Sequence, residues 1–222
     1  AELHLHRRRG RHDAQGIRSV TALAPLLLDG SPLTPDEVHA VAHRRRSVAL
    51  SPEARRRVAE GRELLERSLA AGSAIYGVNT GFGSLARVRL DAAELEEVQA
   101  NLLRSHAAGV GPPLEPELVR AMMLLLAASL SRGRSGVRPE PIEMLLAMLE
   151  ADLLPVVPSR GSVGASGDLA PLAHVALAML GEGDARLAGR PMAGGDALRE
   201  VGLEPFRPAA KEGLSIINGT HL

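Results

Sequence analysis

Helix-start signals recur along the chain and constrain its fold more than any other feature of the sequence. Thr34 precedes a proline, an aspartate and Glu37, an order in which Thr34 caps a helix and Glu37 completes a capping box. Ser51 precedes a proline and a glutamate in the same way, and predicts a long helix that continues to about Ala71 and ends at Gly72. The chain is therefore expected to consist mainly of helices.

Five further segments are predicted to be helical, and one segment is predicted to form a hairpin. The helices are expected at residues 91–108, 115–131, 139–151, 168–180 and 209–218. The hairpin is expected between Ala185 and Met192, with its turn at Gly189 and Arg190. Strands therefore make up only a small part of the expected fold.

Aromatic residues are almost absent, which limits how the core can be packed. They make up 1% of the 222 residues and are Tyr76, Phe82 and Phe206. The core must then be built from leucine, alanine, valine and methionine, which suit helix–helix packing better than a β-sandwich. We therefore predict the all-α class, with one helical domain over residues 17–222, loops that carry a site, and a small β-hairpin.

Both ends of the sequence are unusual for a complete domain. Residues 1–16 are rich in histidine and arginine without an apolar period, and we interpret them as a disordered basic leader. The sequence begins without methionine and stops inside an apolar segment that reads INGTHL. We therefore expect the helical domain to be truncated at its C-terminal end.

Charge and cysteine content argue against several classes of protein. Lysine plus arginine and aspartate plus glutamate number 26 each, a balance that is unusual for nucleic-acid-binding proteins. The absence of cysteine excludes disulfides and thiolate metal sites, and it is compatible with a cytoplasmic location. The longest apolar stretches are shorter than the roughly 18–20 residues of a membrane span. We expect a cytoplasmic protein that binds neither nucleic acid nor membranes.

Two histidines, His39 and His43, stand one helical turn apart, a spacing that metal ligands can adopt. No carboxylate is placed to assist them, and both lie in a strongly basic segment. We interpret them as part of a solvated helix face, and we predict no metal site.

The run from Gly161 to Leu172 reads GSVGASGDLAPL, and its small residues are poor choices for packing. A loop of glycine and serine before a helix could bind an anion. No Gly-Lys-Ser/Thr follows, so it is not a Walker loop, and Asp168 stands where the nucleophile elbow of hydrolases requires glycine. A tight turn capped by Asp168 is the simplest structural interpretation.

Glycine after serine also allows a rarer reaction of the backbone. The Gly167 nitrogen, with no side chain on its Cα, can approach the carbonyl carbon of Ala165. Loss of water closes a five-membered ring, and loss of the Ser166 hydroxyl leaves an exocyclic methylidene. Ala165, Ser166 and Gly167 could therefore form a strong electrophile from the chain itself.

The run from Gly161 to Leu172 resembles the signature of the aromatic amino acid ammonia-lyases. These enzymes carry a 4-methylidene-imidazol-5-one group, which the resemblance assigns to autocatalytic cyclisation of the Ala-Ser-Gly tripeptide. The resemblance extends over roughly residues 33–222. It implies a mostly helical protein whose full-length members are about twice as long, assemble as homotetramers and need no dissociable cofactor.

Further positions receive roles from the resemblance. A glycine-rich run resembles the family's mobile loop over the active site, in which Tyr76 matches the catalytic base and Gly83 would help the loop to close. Asn218, which could otherwise simply end a helix, matches the asparagine beside the electrophile. Asp168 and Leu169, at the helix start after the tripeptide, are expected to support its compressed backbone.

Ser105 and His106 carry the prediction of the substrate. In the family, phenylalanine-type enzymes hold an apolar pair at these two positions, and tyrosine-type enzymes begin the pair with a histidine. The Ser-His pair resembles the histidine-specific members, since a polar imidazole substrate needs a hydrogen-bonding partner. His174, about two helical turns past the tripeptide, is interpreted as structural.

The resemblance implies non-oxidative removal of ammonia from L-histidine to give trans-urocanate, the first step of histidine degradation. It also implies that sequence absent from this chain supplies an arginine for the substrate carboxylate and an acidic residue near the imidazole. Two alternatives stay open. One is a phenylalanine or tyrosine ammonia-lyase or aminomutase, and the other is a non-catalytic helical fragment or interaction subunit of a split lyase.

Overall fold

Helices form most of the described part of the chain. A computed structural model describes residues 23–71, 75, 78, 92–162 and 169–219. Its helices are α1 (Pro35–Ala42), α2 (Pro52–Ala70), α3 (Ala92–His106), α4 (Pro116–Leu130), α5 (Glu140–Glu150), α6 (Leu169–Met179), α7 (Gly194–Glu200) and α8 (Glu212–Ile217). Its strands are β1 (Leu26–Leu28), β2 (Val48–Leu50), β3 (Val110–Pro113), β4 (Leu153–Pro155), β5 (Pro158–Arg160), β6 (Asp184–Leu187) and β7 (Arg190–Ala193).

The helix-start signals of α1 and α2 are confirmed. Thr34 Oγ1 accepts a hydrogen bond from Glu37 N at 3.3 Å, and Glu37 Oε2 accepts one from Thr34 N at 2.9 Å, which completes the capping box. Ser51 Oγ accepts a hydrogen bond from Ala54 N at 3.1 Å. Both helices therefore begin at the residues that the sequence indicates.

The buried core is aliphatic, as the composition predicts. Most of its largest side chains come from α4, α5 and α6, and the following are at most 1% exposed: Met122, Met123, Leu145, Met148 and Leu172. Each such side chain stabilises the fold by about 1.5–3 kcal/mol relative to an exposed one. The mainly helical fold class is therefore confirmed.

Short strands form three small sheets between the helices. β1 and β2 pair in parallel, β3 and β5 pair antiparallel, and β4, β6 and β7 form a three-stranded sheet in that order. The predicted hairpin is β6–β7, but its turn lies at Ala188 and Gly189 rather than at Gly189 and Arg190. Both turn residues have positive φ, 49° and 81°, which suits a two-residue turn between twisted strands.

The sequence analysis does not predict α7, and close packing explains why. α7 begins with Gly194 and Gly195, and glycine disfavours helices. A Cβ on Gly194 would lie 2.6 Å from Glu182 O, and a Cβ on Gly195 would lie 2.9 Å from Gly181 O. Since only glycine fits at these contacts, tertiary packing overrides the helix propensity.

α3, α6 and α8 pack against one another, and this unit carries the described site residues. Gln99 on α3 is fully buried, and its Oε1 accepts a hydrogen bond from Leu214 N at 3.2 Å. A Cβ on Gly213 would lie 2.7 Å from Gln99 O. The first turn of α8 therefore rests directly on the middle of α3.

Some expectations concern residues that the structure does not describe. The predicted leader at 1–16 lies outside the described residues. In the described ranges, no helix is long and apolar enough to cross a membrane. Among the same residues, no group of three or more histidine, cysteine, aspartate or glutamate side chains could hold a metal ion. The rings of His39 and His43 lie 4.2 Å apart.

Candidate active site

The described site residues all stand at the ends of helices. Ser105 and His106 end α3, Leu169 begins α6, and Asn218 follows α8 as its C-cap. Helix ends leave backbone and side-chain groups available to a ligand. The remaining predicted site residues lie outside the described part of the chain: Tyr76, Gly83, Ala165, Ser166, Gly167 and Asp168.

His106 is held by a carbonyl group in the last turn of α3. Its Nδ1 lies 2.8 Å from Leu102 O, and Ser105 Oγ donates to the same oxygen at 2.9 Å. Because a carbonyl oxygen only accepts hydrogen bonds, the contact with Leu102 O favours the tautomer with the proton on Nδ1, in which Nε2 is an acceptor, and Ser105 Oγ also lies 3.1 Å from Nδ1. The ring is half-buried, and in this tautomer its Nε2 can accept a hydrogen bond from an N–H group.

A hydrogen bond ties the chain that follows α3 to α6. Gly109 N donates to His174 Nε2 at 3.1 Å. His174 is half-buried, and burial lowers the pKa of its imidazole. The two observations agree, since only the neutral ring can offer Nε2 as an acceptor. His174 thus has the backbone partner that its interpretation as a structural residue requires.

The chain that leads toward the tripeptide lies against the same segment. β5 pairs with β3 and ends directly before Gly161. A Cβ on Gly161 would lie 3.1 Å from Gly109 Cα and 3.2 Å from Ala170 Cβ. Gly161 therefore lies between the segment that follows His106 and the first turn of α6. The described residues on either side of the tripeptide, Gly161 and Ala170, thus lie near the segment that follows α3.

Asn218 is exposed after the last turn of α8. Its backbone N–H donates to Leu214 O at 3.0 Å, while the preceding Ile216 and Ile217 are fully buried. The packing of α8 on α3 and α6 places Asn218 in the same unit as the Ser-His pair. The backbone of this asparagine is therefore fixed through its helix.

Glu212, which the sequence analysis missed, fixes the start of α8. Its fully buried carboxylate accepts hydrogen bonds from Arg138 Nη2 at 2.8 Å and from Arg138 Nε at 3.0 Å. The backbone N–H groups of Arg138 and Ala209 donate to it at 2.9 and 2.8 Å. The hydrogen bond to Glu212 raises the pKa of the Arg138 guanidinium.

Gln99 is a second residue that the sequence analysis missed. Its Nε2 is buried and has no hydrogen-bond partner within the described ranges, whereas its Oε1 holds Leu214 N. Polar residues such as Gln99, inside a helix, and Glu212, at a helix start, are usually exposed to solvent, so the sequence does not indicate their burial. The only available signal was the position of each residue among apolar neighbours, which alone does not identify a partner.

Comparison with known proteins decides the family. The sequence profile described as aromatic amino acid lyase matches residues 33–222. The chain belongs to the aromatic amino acid lyase family. The resemblance inferred from the run at 161–172 is therefore confirmed, and the family is one of carbon–nitrogen lyases.

The relatives of this aromatic amino acid lyase include enzymes with known structures. Histidine ammonia-lyase from Anaeromyxobacter sp. (strain K) is 54% identical over 202 residues, which cover 88% of the chain and 40% of that protein. The crystal structure of histidine ammonia-lyase from Trypanosoma cruzi is 39% identical, with a TM-score of 0.81 over 90% of the chain and 38% of that structure. The ergothioneine-degrading enzyme ergothionase from Treponema denticola is 35% identical, with a TM-score of 0.83 over 88% of the chain and 39% of that structure. The chain thus spans about 40% of the length of the curated relatives it matches.

Proposed function

We propose that this chain is part of a histidine ammonia-lyase, which removes ammonia from L-histidine without oxidation and releases trans-urocanate. The observation that carries the proposal is the contact of His106 Nδ1 with Leu102 O at 2.8 Å, which favours the tautomer whose Nε2 is an acceptor. An acceptor at this point suits the N–H group of a substrate imidazole. The identity with histidine ammonia-lyases supports the same substrate.

The described residues around the tripeptide fit a 4-methylidene-imidazol-5-one group. Such a ring requires a compressed backbone of small residues, and Gly161 occupies a cradle that a Cβ would fill. Ala165, Ser166 and Gly167 would form and hold the group, and no dissociable cofactor is part of the proposal. When present, the group supplies an electrophilic methylidene that makes the substrate amine a better leaving group.

The residues of this chain would orient the substrate and move one proton. His106 Nε2 would accept a hydrogen bond from the imidazole N–H, while Ser105 shares the Leu102 carbonyl that fixes the His106 ring. The phenol oxygen of Tyr76 would remove the β-proton. The Asn218 amide would hold the substrate and the carbonyl oxygen of the prosthetic group. Closure of the loop that contains Tyr76 would exclude water from the site.

The complete site is proposed to need more sequence than this chain contains. The chain covers 40% of the histidine ammonia-lyase from Anaeromyxobacter sp. (strain K). We propose that the remaining sequence supplies an arginine for the substrate carboxylate and an acidic residue near the imidazole. We also propose a cytoplasmic homotetramer whose partner is a small amino acid, with no role for nucleic acid or membranes.

Product formation from parallel substrates tests the proposed function. L-Histidine, L-phenylalanine, L-tyrosine and ergothioneine are offered to the full-length protein, and the unsaturated product is followed by ultraviolet absorbance. We expect urocanate from histidine with a kcat/KM at least about tenfold above that of the other substrates. Faster elimination from one of the other three would reassign the substrate. Elimination from none of them would support a non-catalytic subunit.

A further inference from the structure

Three segments meet at the junction between α3 and α6. The His174 side chain on α6 forms a hydrogen bond to one of the other two. The first segment follows His106, the second ends at Gly161, and the third is the start of α6. Gly161 lies between Gly109 and Ala170, with a hypothetical Cβ 3.1 Å from Gly109 Cα. His174 reaches back from the second turn of α6 to the Gly109 backbone. The His174 imidazole therefore connects α6 to the segment after α3, and Gly161 lies against the same segment.

The contact between His174 and Gly109 is close as well as directional. Gly109 N donates to His174 Nε2 at 3.1 Å. A Cβ on Gly109 would lie 3.0 Å from the same nitrogen and 3.2 Å from Pro158 Cβ. The segment is thus held between an imidazole and a proline ring, with no room for a side chain. The glycine backbone has no side chain of its own with which to fix its position.

A second polar contact joins the end of α3 to the turn that follows α6. Arg104 Nη2 pairs with Glu182 Oε1 at 2.6 Å, but these side chains are 46% and 38% exposed. An exposed ion pair is screened by solvent and fixes geometry poorly. After His106 the chain leaves the helix, and Ala108 N donates only to the nearby His106 O at 2.8 Å. Among the described residues, the bond to His174 is thus a long-range polar tether of residues 107–109, and the pairing of β3 with β5 holds the residues that follow.

We propose that His174 is a positioning residue: by accepting the Gly109 N–H, it sets the distance between the Ser105–His106 pair and the first turn of α6, which begins two residues after the Ala-Ser-Gly tripeptide. The inference rests on the proposed function for the identity of the substrate, and it goes beyond a purely structural role for His174. Loss of this bond would leave the segment after His106 held by packing and by the pairing of β3 with β5, so its distance from α6 would be less precisely fixed. The Ser105–His106 pair, which is proposed to bind the substrate, would then be misplaced relative to the reacting tripeptide.

The test compares variants of the full-length protein that differ in their ability to accept one hydrogen bond. His174→Phe keeps a ring of similar size without an acceptor, whereas His174→Gln offers an amide oxygen to Gly109 N. His174→Met, flexible and unbranched, repeats the acceptor-free test should the phenylalanine variant fold poorly. His39→Phe is the matched control, because His39 is an exposed histidine on α1, outside the candidate site.

Three measurements are made on each variant. Hydrogen exchange of the peptide that contains Gly109 reports the tether directly, and it needs no substrate. Mass spectrometry of the peptide that spans the tripeptide reports the fraction that has lost two waters. Steady-state kinetics with L-histidine, normalised to that fraction, report kcat and KM separately.

We expect the acceptor-free variants to exchange the Gly109 amide at least about tenfold faster and to lose about 10- to 100-fold in kcat/KM. His174→Gln should restore both to within about threefold of wild type, and His39→Phe should change neither. Wild-type exchange and kinetics in His174→Phe or His174→Met would overturn the proposal. So would a His174→Gln protein that keeps the wild-type Tm but is as impaired as His174→Phe. If the wild type itself makes no urocanate, the proposed function fails, while exchange and cyclisation still decide the role of His174.

Discussion

At the scale of single residues, one proton determines what the candidate site can bind. The Leu102 carbonyl favours the proton on His106 Nδ1, and Nε2 is the acceptor in that tautomer. A substrate imidazole that keeps one N–H can donate to this nitrogen, whereas a phenyl ring cannot. The selectivity proposed for this lyase therefore depends on a backbone carbonyl one helical turn before the histidine.

Replacement of His106 by phenylalanine should weaken the elimination of ammonia from histidine. We expect kcat/KM to fall by about 10- to 100-fold, because the substrate imidazole would lose its hydrogen-bond partner on desolvation. Steady-state kinetics of the full-length protein measure this effect. The control is His43→Phe, an exposed histidine outside the site. Equal kcat/KM for His106→Phe and the wild type would contradict the assignment of His106.

His174 should make stability dependent on pH in a defined direction. Burial lowers the pKa of its imidazole from the ordinary value of 6.5. The folded state therefore favours the neutral ring. Its stabilising contribution is complete above about pH 6.5 and is lost as the pH falls through the lower pKa of the folded state.

Urea unfolding between about pH 7 and pH 5 measures this dependence. The His174→Gln variant does not titrate at this position, so its free energy of unfolding should fall less over the same range. Identical pH slopes for the two proteins would show that protonation of His174 does not oppose folding.

At the scale of elements, α8 is placed by its first turn. Gln99 holds Leu214 N, and the buried Glu212 carboxylate gathers four N–H groups from Arg138 and Ala209. The short helix then carries Asn218 at its other end. The contacts of Glu212 and Gln99 at the start of α8 thus determine the position of Asn218, which is proposed to contact the substrate.

Replacement of Glu212 by glutamine should destabilise the fold by about 2–4 kcal/mol. The variant removes the charge that faces Arg138, whose side chain is 33% exposed, so solvent compensates only part of the loss. Glu200→Gln is the control, because Glu200 pairs with Arg190 at the surface, and this change should cost less than about 1 kcal/mol. Denaturant unfolding measures both. Equal effects of the two changes would mean that the Glu212 carboxylate does not anchor α8.

Local signals in the sequence predict some elements well and cannot predict others. The caps at Thr34 and Ser51 act within one helical turn, so the sequence indicates α1 and α2 directly. β3 and β5 are short, contain prolines and pair across about fifty residues, so no local pattern identifies them. The candidate site divides in the same way. The family signature names its residues, but the partners of His174 and Glu212 come from distant parts of the chain.

At the scale of the whole molecule, this chain holds one part of a proposed larger site. Its length is about 40% of that of its curated relatives, and its described site residues lie at the ends of three packed helices. The full-length protein should be a tetramer by light scattering, and the chain expressed alone should release no urocanate. A fully active monomer would contradict the proposal that other subunits complete the site.

The rate of urocanate release from L-histidine by the full-length wild type and its Ser166→Ala variant tests the central claim most directly. Alanine cannot lose a hydroxyl group, so no methylidene can form from the tripeptide. We expect turnover by the wild type and a rate at least about 10³-fold lower in the variant. A Ser166→Ala protein within about tenfold of the wild type would show that the Ala-Ser-Gly tripeptide is not the source of the electrophile.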